Sequence, residues 1–154
     1  MALIFRFTDG ASTVRLDMNT TSGWVLGRGL NLGAANLESV WLSQPPYDGA
    51  ELASSYRPIV TMTIPLIMTK QANAAAMKTL FDALVTELDR TANFIEYRPD
   101  GYATSYLIDT YRASIPSLLG GVFAPTPFLL LQTQVPLTLT IPRKPQLRTA
   151  GSYI

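Results

Sequence analysis

Acidic residues are the side chains of this sequence that could carry out catalysis, because the chain contains neither cysteine nor histidine. Disulfides, thiolate and imidazole metal sites, thiol nucleophiles and imidazole acid–base pairs are therefore excluded. Two carboxylates can still hydrolyse a glycosidic bond without histidine. The candidate pairs are Glu96 with Asp109, on neighbouring predicted strands, and Asp9 with Asp17.

The sequence around these carboxylates favours ordinary surface roles. Asp9 lies in a predicted turn, and Glu96 and Asp109 fall at positions expected to face solvent. On neighbouring strands, Arg98 and Arg112 can pair with such carboxylates. We therefore predict no catalytic residues, and a carboxylate-dependent hydrolase is kept as an alternative.

A glycine-rich segment, residues 27–33, has the sequence GRGLNLG. Its glycine spacing matches neither the dinucleotide-binding fingerprint nor the P-loop, and no predicted helix follows it. We interpret it as a connection between strands. The sequence thus predicts no cofactor-binding and no metal-binding residues.

Composition points to a single domain with a weakly charged surface. The 154 residues fit one domain, and only 15% of them are charged, with a net charge of +1. Such a surface is suited to burial against neighbouring proteins. The N-terminus lacks the features of a signal peptide, and the apolar stretches are too short to span a membrane, so we expect no membrane anchor.

The pattern of the first half predicts short strands. Alternation around a turn at Asp9 and Gly10 predicts an N-terminal hairpin, and residues 24–26 and 39–42 read as two further strands. Residues 43–56 are rich in loop-forming types and predict a long connection. Residues 57–68 predict a strand, with Pro65 at a sheet edge or bulge because proline cannot donate to a ladder.

One helix is predicted over residues about 71–90, with Thr69 or Asn73 as its cap. Its apolar stripe contains Met77, Leu80, Phe81, Leu84, Val85 and Leu88. A second hairpin over residues 94–114 and a last strand over residues 128–141 follow. The fold class is therefore α+β or mainly β: an antiparallel β-sandwich or barrel-like sheet flanked by one amphipathic helix.

The end of the chain supplies the candidate interface. Residues 1–142 are predicted to form one β-rich domain, and residues 143–154 a basic C-terminal arm that binds a partner chain. The loop of residues 115–127 is unusually apolar, which is typical of a contact surface, although it could also pack on its own core. The candidate interface residues are Leu118, Leu119, Val122, Phe123, Arg143, Lys144, Arg148 and Tyr153. The basic arm lacks aromatic residues beside its charges, so specific nucleic-acid binding is not predicted.

The order of elements resembles a known family. An N-terminal hairpin is followed by the strand TMTIPL at residues 61–66, the helix AAAMKTLFDAL at residues 74–84, IEYR at residues 95–98, and VPLTLTI at residues 135–141. This order resembles the minor tail proteins of long-tailed bacteriophages, in particular the N-terminal ring domain of distal tail proteins.

The resemblance implies a β-sandwich flanked by a helix, six copies of which form a ring that joins the tail tube to the hub or tip. It implies a homo-oligomer, most often a hexamer, that contacts other tail proteins in the virion after assembly in the host cytoplasm. Tail-tube and tail-terminator proteins share a related architecture and are the nearest alternatives. A monomeric ligand-binding β-module is the alternative of another class.

Overall fold

A computed structural model describes residues 2–11, 13–34, 36–43, 50–114 and 135–149. The apolar loop of residues 115–127 and the first part of the predicted last strand, residues 128–134, lie outside the described residues. So do five of the candidate interface residues: Leu118, Leu119, Val122, Phe123 and Tyr153.

Nine strands and one helix make up the described residues. The strands are β1 (Ile4–Thr8), β2 (Val14–Asp17), β3 (Trp24–Leu26), β4 (Glu38–Ser43), β5 (Ala50–Tyr56), β6 (Val60–Met68), β7 (Ala92–Arg98), β8 (Tyr106–Tyr111) and β9 (Val135–Thr149). The helix α1 (Ala74–Leu88) lies between β6 and β7 in the chain. The fold is therefore mainly β with one helix, as the sequence predicts.

Seven of these strands form one antiparallel sheet in the order β2-β1-β7-β8-β9-β6-β3. Its two outermost strands, β2 and β3, are consecutive in the chain and are joined by residues 18–23. This connection holds the two edges near each other, so the sheet is nearly closed. Within the described residues, strands β4 and β5 pair only with each other and form a separate two-stranded sheet.

The centre of the large sheet is the pairing of β6 with β9, which runs from Val60 opposite Arg143 to Met68 opposite Val135. Both strands show the alternation that the sequence predicts. On β6, Met62, Ile64 and Leu66 are at most 1% exposed. Their neighbours on the other face are less buried, as expected of strands with one side on the core.

Prolines fit these two strands because their nitrogens point away from the shared ladder. Thr63 exchanges backbone hydrogen bonds with Asn31, on the side of β6 opposite β9. The odd-numbered residues of β6 therefore point their backbone groups away from β9, and the even-numbered ones bond to it. Pro136 and Pro142 lie opposite the odd-numbered residues Ile67 and Thr61, so neither proline has to donate a hydrogen bond to β6. Pro65 lies in an inner strand, not at the predicted sheet edge. Its nitrogen faces the β3 side of β6, where the pairing with β3 ends at Leu66, so no strand hydrogen bond is lost there.

The helix begins at Ala74 because Asn73 caps it: the Asn73 side chain accepts a hydrogen bond from the Ala76 backbone N–H at 2.9 Å. It buries the predicted stripe against the sheet. Met77, Phe81, Leu84 and Leu88 belong to one core cluster with residues of β1, β3, β6, β7, β8 and β9, while Leu80 and Val85 are partly buried against it. The helix is shorter at both ends than the predicted residues 71–90.

A buried polar network joins the end of the helix to the sheet. The Glu87 carboxylate, 6% exposed, accepts hydrogen bonds from Arg15 at 3.1 Å and from the Asn93 amide at 2.8 Å. Arg15 also donates to the Asn93 side chain and to the Thr8 carbonyl. A buried carboxylate needs such partners, so this group of residues fixes α1 on β1, β2 and β7.

Two predictions about chain organisation are wrong. Residues 43–56 are not one long loop, since β5 occupies residues 50–56 and pairs with β4. The arm does not start at residue 143, since β9 continues to Thr149 and its second half pairs with β8. The strand can pass Pro145 because the register shifts there: Ile108 pairs with Leu147 and Thr110 with Arg143, so residues 144–146 bulge opposite Asp109.

Replacing Leu84 with alanine should lower the free energy of unfolding by about 2–5 kcal/mol, because a fully buried leucine leaves a cavity. Chemical denaturation measures the loss. Leu37, which is 59% exposed, is the matched control, and Leu37→Ala should change stability by no more than about 0.5 kcal/mol. Equal effects of the two substitutions would contradict the assigned core.

Candidate assembly site

The β4–β5 hairpin is the part of the described chain that the fold leaves without support. Glu38 lies opposite Tyr56, and Trp41 lies opposite Leu52 beyond a one-residue bulge. None of the side chains described on the two strands is buried. A two-stranded hairpin is marginally stable in water by itself, so this one needs a further surface to pack against.

The hairpin is also unusually apolar for an exposed element. Its exposed large side chains are Val40 (45%), Trp41 (58%), Leu42 (53%), Leu52 (48%) and Tyr56 (51%), with Leu37 (59%) directly before it. Exposed apolar groups gathered in one element mark a contact surface, whereas scattered ones need no explanation. The hairpin is therefore the first candidate assembly surface.

The root of the hairpin is fixed on the large sheet. Asn31 forms an isolated bridge to Thr63 of β6. Gly33 follows with φ +78 so close to β6 that an added Cβ would lie 2.4 Å from Val60 Cγ1 and 2.5 Å from the Thr61 carbonyl oxygen. This is a close approach that only glycine permits. The glycine-rich segment thus serves as a connection, as predicted, and it sets where the hairpin leaves the body.

Arg143 holds the same root from the other side. Its guanidinium donates to the carbonyl of Leu32 at 2.6 Å, and more weakly to that of Gly33 at 3.4 Å. It also donates to the carbonyls of Lys144 and Pro145, at 2.7 and 3.1 Å, which lie in the β9 bulge. The residue is 4% exposed, and burial lowers its pKa. Arg143 was predicted to contact another chain; instead it is used within its own.

A cavity of about 270 Å³ lies beside the bulge, and we call it the β9 pocket. The charged groups that line it are Asp109, Lys144 and Arg148, and the aromatic ones are Phe94 and Tyr111. Asp109 accepts from Arg148 at 2.8 Å and lies 3.5 Å from the Lys144 ammonium. The Arg148 guanidinium stacks over the Phe94 ring, 5.0 Å from its centroid. Two of the predicted interface residues, Lys144 and Arg148, therefore lie together in one cavity.

The carboxylates considered for catalysis are engaged in separate ion pairs. Glu96 binds Arg6 at 2.8 Å, not the expected Arg98, and Asp109 binds Arg148 and Lys144, not Arg112. Burial of Glu96 raises the pKa of its carboxyl, but hydrogen bonds from Arg6 and Ser105 and the charges of Arg6 and Arg98 outweigh burial. The net result is a pKa below its ordinary value of 4.5. A depressed pKa suits a structural carboxylate better than a general acid.

The second pair, Asp9 and Asp17, caps turns. Asp9 accepts from the backbone N–H groups of Ala11 and Thr13 at 2.9 and 3.0 Å. Asp17 accepts from the backbone N–H of Asn19 at 2.9 Å. These are the local roles that aspartate commonly takes in turns.

In the described part of the chain, no three side chains of His, Cys, Asp or Glu are grouped so that they could hold a metal ion. No helix found among the described residues is both long enough and apolar enough to cross a membrane.

No protein-family model matches this sequence, and no curated protein matches it. Among solved structures, the fold is similar to that of the SPP1 Dit (gp 19.1) protein, which is described as a paradigm of the hub adsorption apparatus in phages that infect Gram-positive hosts. The TM-score is 0.60 at 11% sequence identity, over 96% of this chain. The match covers 52% of the Dit chain, so this chain spans about half of that protein's length. At this identity the likeness shows a shared fold.

The sequence predicted Lys144 and Arg148 as interface residues, which the structure places in one cavity, but it did not predict an exposed hairpin. Trp41 and Leu42 were assigned to a strand, yet no pattern showed that this strand would leave the sheet. A usable signal was present in the composition: residues 37–56 contain three acidic residues, no basic ones, and a tryptophan next to a leucine. The acidic residues make such an element unsuited to a core, and its large apolar residues make it unsuited to a surface that only water contacts.

Gly33→Ala should destabilise the fold more than Gly29→Ala. The two glycines share a positive φ but differ in the space available to an added Cβ. An added Cβ at Gly29 meets nothing within 4 Å, whereas at Gly33 it collides with Val60 and Thr61. The backbone strain common to both is worth about 1–2 kcal/mol, and the excess at Gly33 measures the close approach. Denaturant unfolding of both variants gives the two values; equal losses would show that the root is not tightly packed.

Part of the decrease in the free energy of unfolding at low pH should come from protonation of Glu96. Its pKa is lowered in the folded state, so its contribution is present above pH 4.5 and is lost as the pH falls through the folded-state value. Glu96→Gln should therefore lower stability at neutral pH and flatten the decline below pH 4.5. Unfolding measured across that range checks this, with Asp100→Asn in the exposed β7–β8 turn as the control. Parallel curves for parent and Glu96→Gln would contradict the assignment.

Proposed function

We propose that this chain is a structural protein of a bacteriophage tail, which forms a ring at the distal end of the tail tube and joins the tube to the tip or hub. The observation that carries the proposal is the fold shared over 96% of the chain with a phage hub adsorption protein. The order of elements that resembles the ring domain of distal tail proteins points the same way. The protein would be a virion component, assembled in the host cytoplasm.

Self-assembly into a ring is supported by the unpartnered hairpin. An exposed apolar two-stranded element gains stability where a further surface covers it, and another chain can supply that surface. Homo-oligomers are most often closed and symmetric, and a ring requires two different surfaces on each copy. The hairpin supplies one such surface, and a cyclic hexamer is the assembly that the resemblance implies.

A non-enzymatic role is supported by the use of the acidic groups. Glu87, Glu96 and Asp109 each bind arginine, and Asp9 and Asp17 bind backbone N–H groups. A carboxylate pair for glycoside hydrolysis would need one group with a raised pKa, whereas the pKa of Glu96 is lowered.

Contacts with other tail proteins form the next part of the proposal. Leu118, Leu119, Val122, Phe123 and Tyr153 are retained as residues that contact tube, hub or tip proteins, on the strength of their apolar character in segments predicted to be a loop and an arm. Arg143 is removed from this set because its guanidinium is already bound within the chain.

Native mass spectrometry of the purified chain, and of tails that contain it, tests the proposed ring directly. The parent should form a closed oligomer, and Trp41→Ser should weaken association by about 2 kcal/mol or more, as is usual for an aromatic anchor at an interface. Thermal unfolding of the separated Trp41→Ser monomer should match that of the parent monomer, since Trp41 lies outside the core.

Tyr102→Ser is the matched control for Trp41→Ser, because Tyr102 is 59% exposed and lies in the β7–β8 turn, not on the hairpin. It should assemble like the parent. A parent chain that is monomeric both in solution and in the particle would overturn the proposed ring.

A further inference from the structure

The β4–β5 hairpin is acidic as well as apolar. Residues 37–56 carry Glu38, Asp48 and Glu51 and no lysine or arginine. At the hairpin base, the Tyr56 hydroxyl donates to the Glu38 carboxylate at 2.7 Å, and both residues are exposed. A surface that covers this element must therefore offer positive charge together with apolar or aromatic groups.

The β9 pocket offers that combination. Among the described residues that line it, Lys144 and Arg148 both pair with Asp109. Lys144 keeps 51% of its side chain exposed. Phe94 and Tyr111 supply aromatic walls. The exposed part of the Lys144 side chain is accessible to a carboxylate of another molecule.

The hairpin does not fill the β9 pocket of its own chain, because its described apolar side chains are exposed and none of them lines the cavity. The two surfaces are different patches of one molecule. A contact between different patches on successive copies is heterologous, which is the type of contact that builds a ring.

We infer that the β4–β5 hairpin of one copy docks on the β9 pocket of the next copy, with a hairpin carboxylate beside Lys144 and hairpin apolar side chains against Phe94 and Tyr111. The inference rests on the proposed self-assembly and adds to it the identity of both contacting surfaces. The second copy is chosen as the occupant because the charge and apolar character of the hairpin complement those of the cavity.

Charge reversal tests the contact in the full chain. Lys144→Glu, and separately Glu38→Lys combined with Glu51→Lys, should each weaken association about tenfold by placing like charges together. Combining all three substitutions should restore association to within about threefold of the parent. The matched controls are Lys70→Glu and Asp100→Lys, which reverse exposed charges elsewhere and should leave association unchanged.

Association of the parent should also weaken as salt is added, because the contact is partly ionic and exposed at its edge. Zero-length carbodiimide cross-linking of mixed unlabelled and ¹⁵N-labelled copies gives a second readout. It should join Lys144 to Glu38 or Glu51 in peptide pairs that carry one label each.

The outcomes separate this inference from the proposed function. If the parent forms a ring but Lys144→Glu assembles like the parent, or if reversal of both partners gives no rescue, the pocket is not the receiving surface while the ring stands. If the hairpin variants lose binding to tails but not self-association, the hairpin contacts another tail protein and the inference is wrong. A monomeric parent overturns both.

Discussion

The Arg143 guanidinium is the interaction on which the separate parts of this molecule depend. It binds the carbonyls of Leu32 and Gly33, where the chain leaves the sheet towards the hairpin, and those of Lys144 and Pro145, in the β9 bulge. A buried charge is costly unless it is hydrogen-bonded, and a guanidinium has five N–H donors in a rigid planar arrangement. One side chain therefore binds four carbonyl oxygens from two segments that are distant in the sequence, and this ties the hairpin root to the bulge.

The bulge is important because β9 pairs with two different strands along its length. Its first half pairs with β6 and its second half with β8, and the change of register falls at residues 144–146. Pro145 can lie there because a bulged residue needs no ladder hydrogen bond. The same irregularity brings Lys144 and Arg148 towards Asp109, and thus forms the charged part of the β9 pocket.

Sequence patterns predicted the elements whose burial is periodic. The alternation of Met62, Ile64 and Leu66 on β6 and the helical spacing of Met77, Phe81 and Leu84 both follow from one-sided burial, so they can be read without a structure. Strand β5, in contrast, has the sequence AELASSY and lies on no core. It is a strand because β4 pairs with it, and pairing between segments leaves little trace in local composition.

The residues of the candidate site also fall into those that a sequence pattern could suggest and those that depend on strand pairing. Lys144 and Arg148 could be chosen as candidates because they are basic residues in a chain of low charge. Their partner Asp109 depends on the bulge register, which no local pattern encodes. Arg143 was placed with them because adjacent basic residues look alike in sequence. Strand alternation separates them: Arg143 continues the buried face of Leu139 and Ile141, and Lys144 falls on the exposed one.

The separation of core from hairpin has a consequence for assembly. The core cluster contains none of the described side chains of β4 or β5, so the body can be stable whether or not the hairpin is covered. In the proposed ring, the number of copies is set by the angle between the hairpin and the surface that receives the next hairpin. Arg143 binds the root of the hairpin and the backbone beside the β9 pocket. A side chain buried inside one copy would then fix the rotation between copies, which places control of ring closure in the fold itself and leaves the exposed residues to supply affinity.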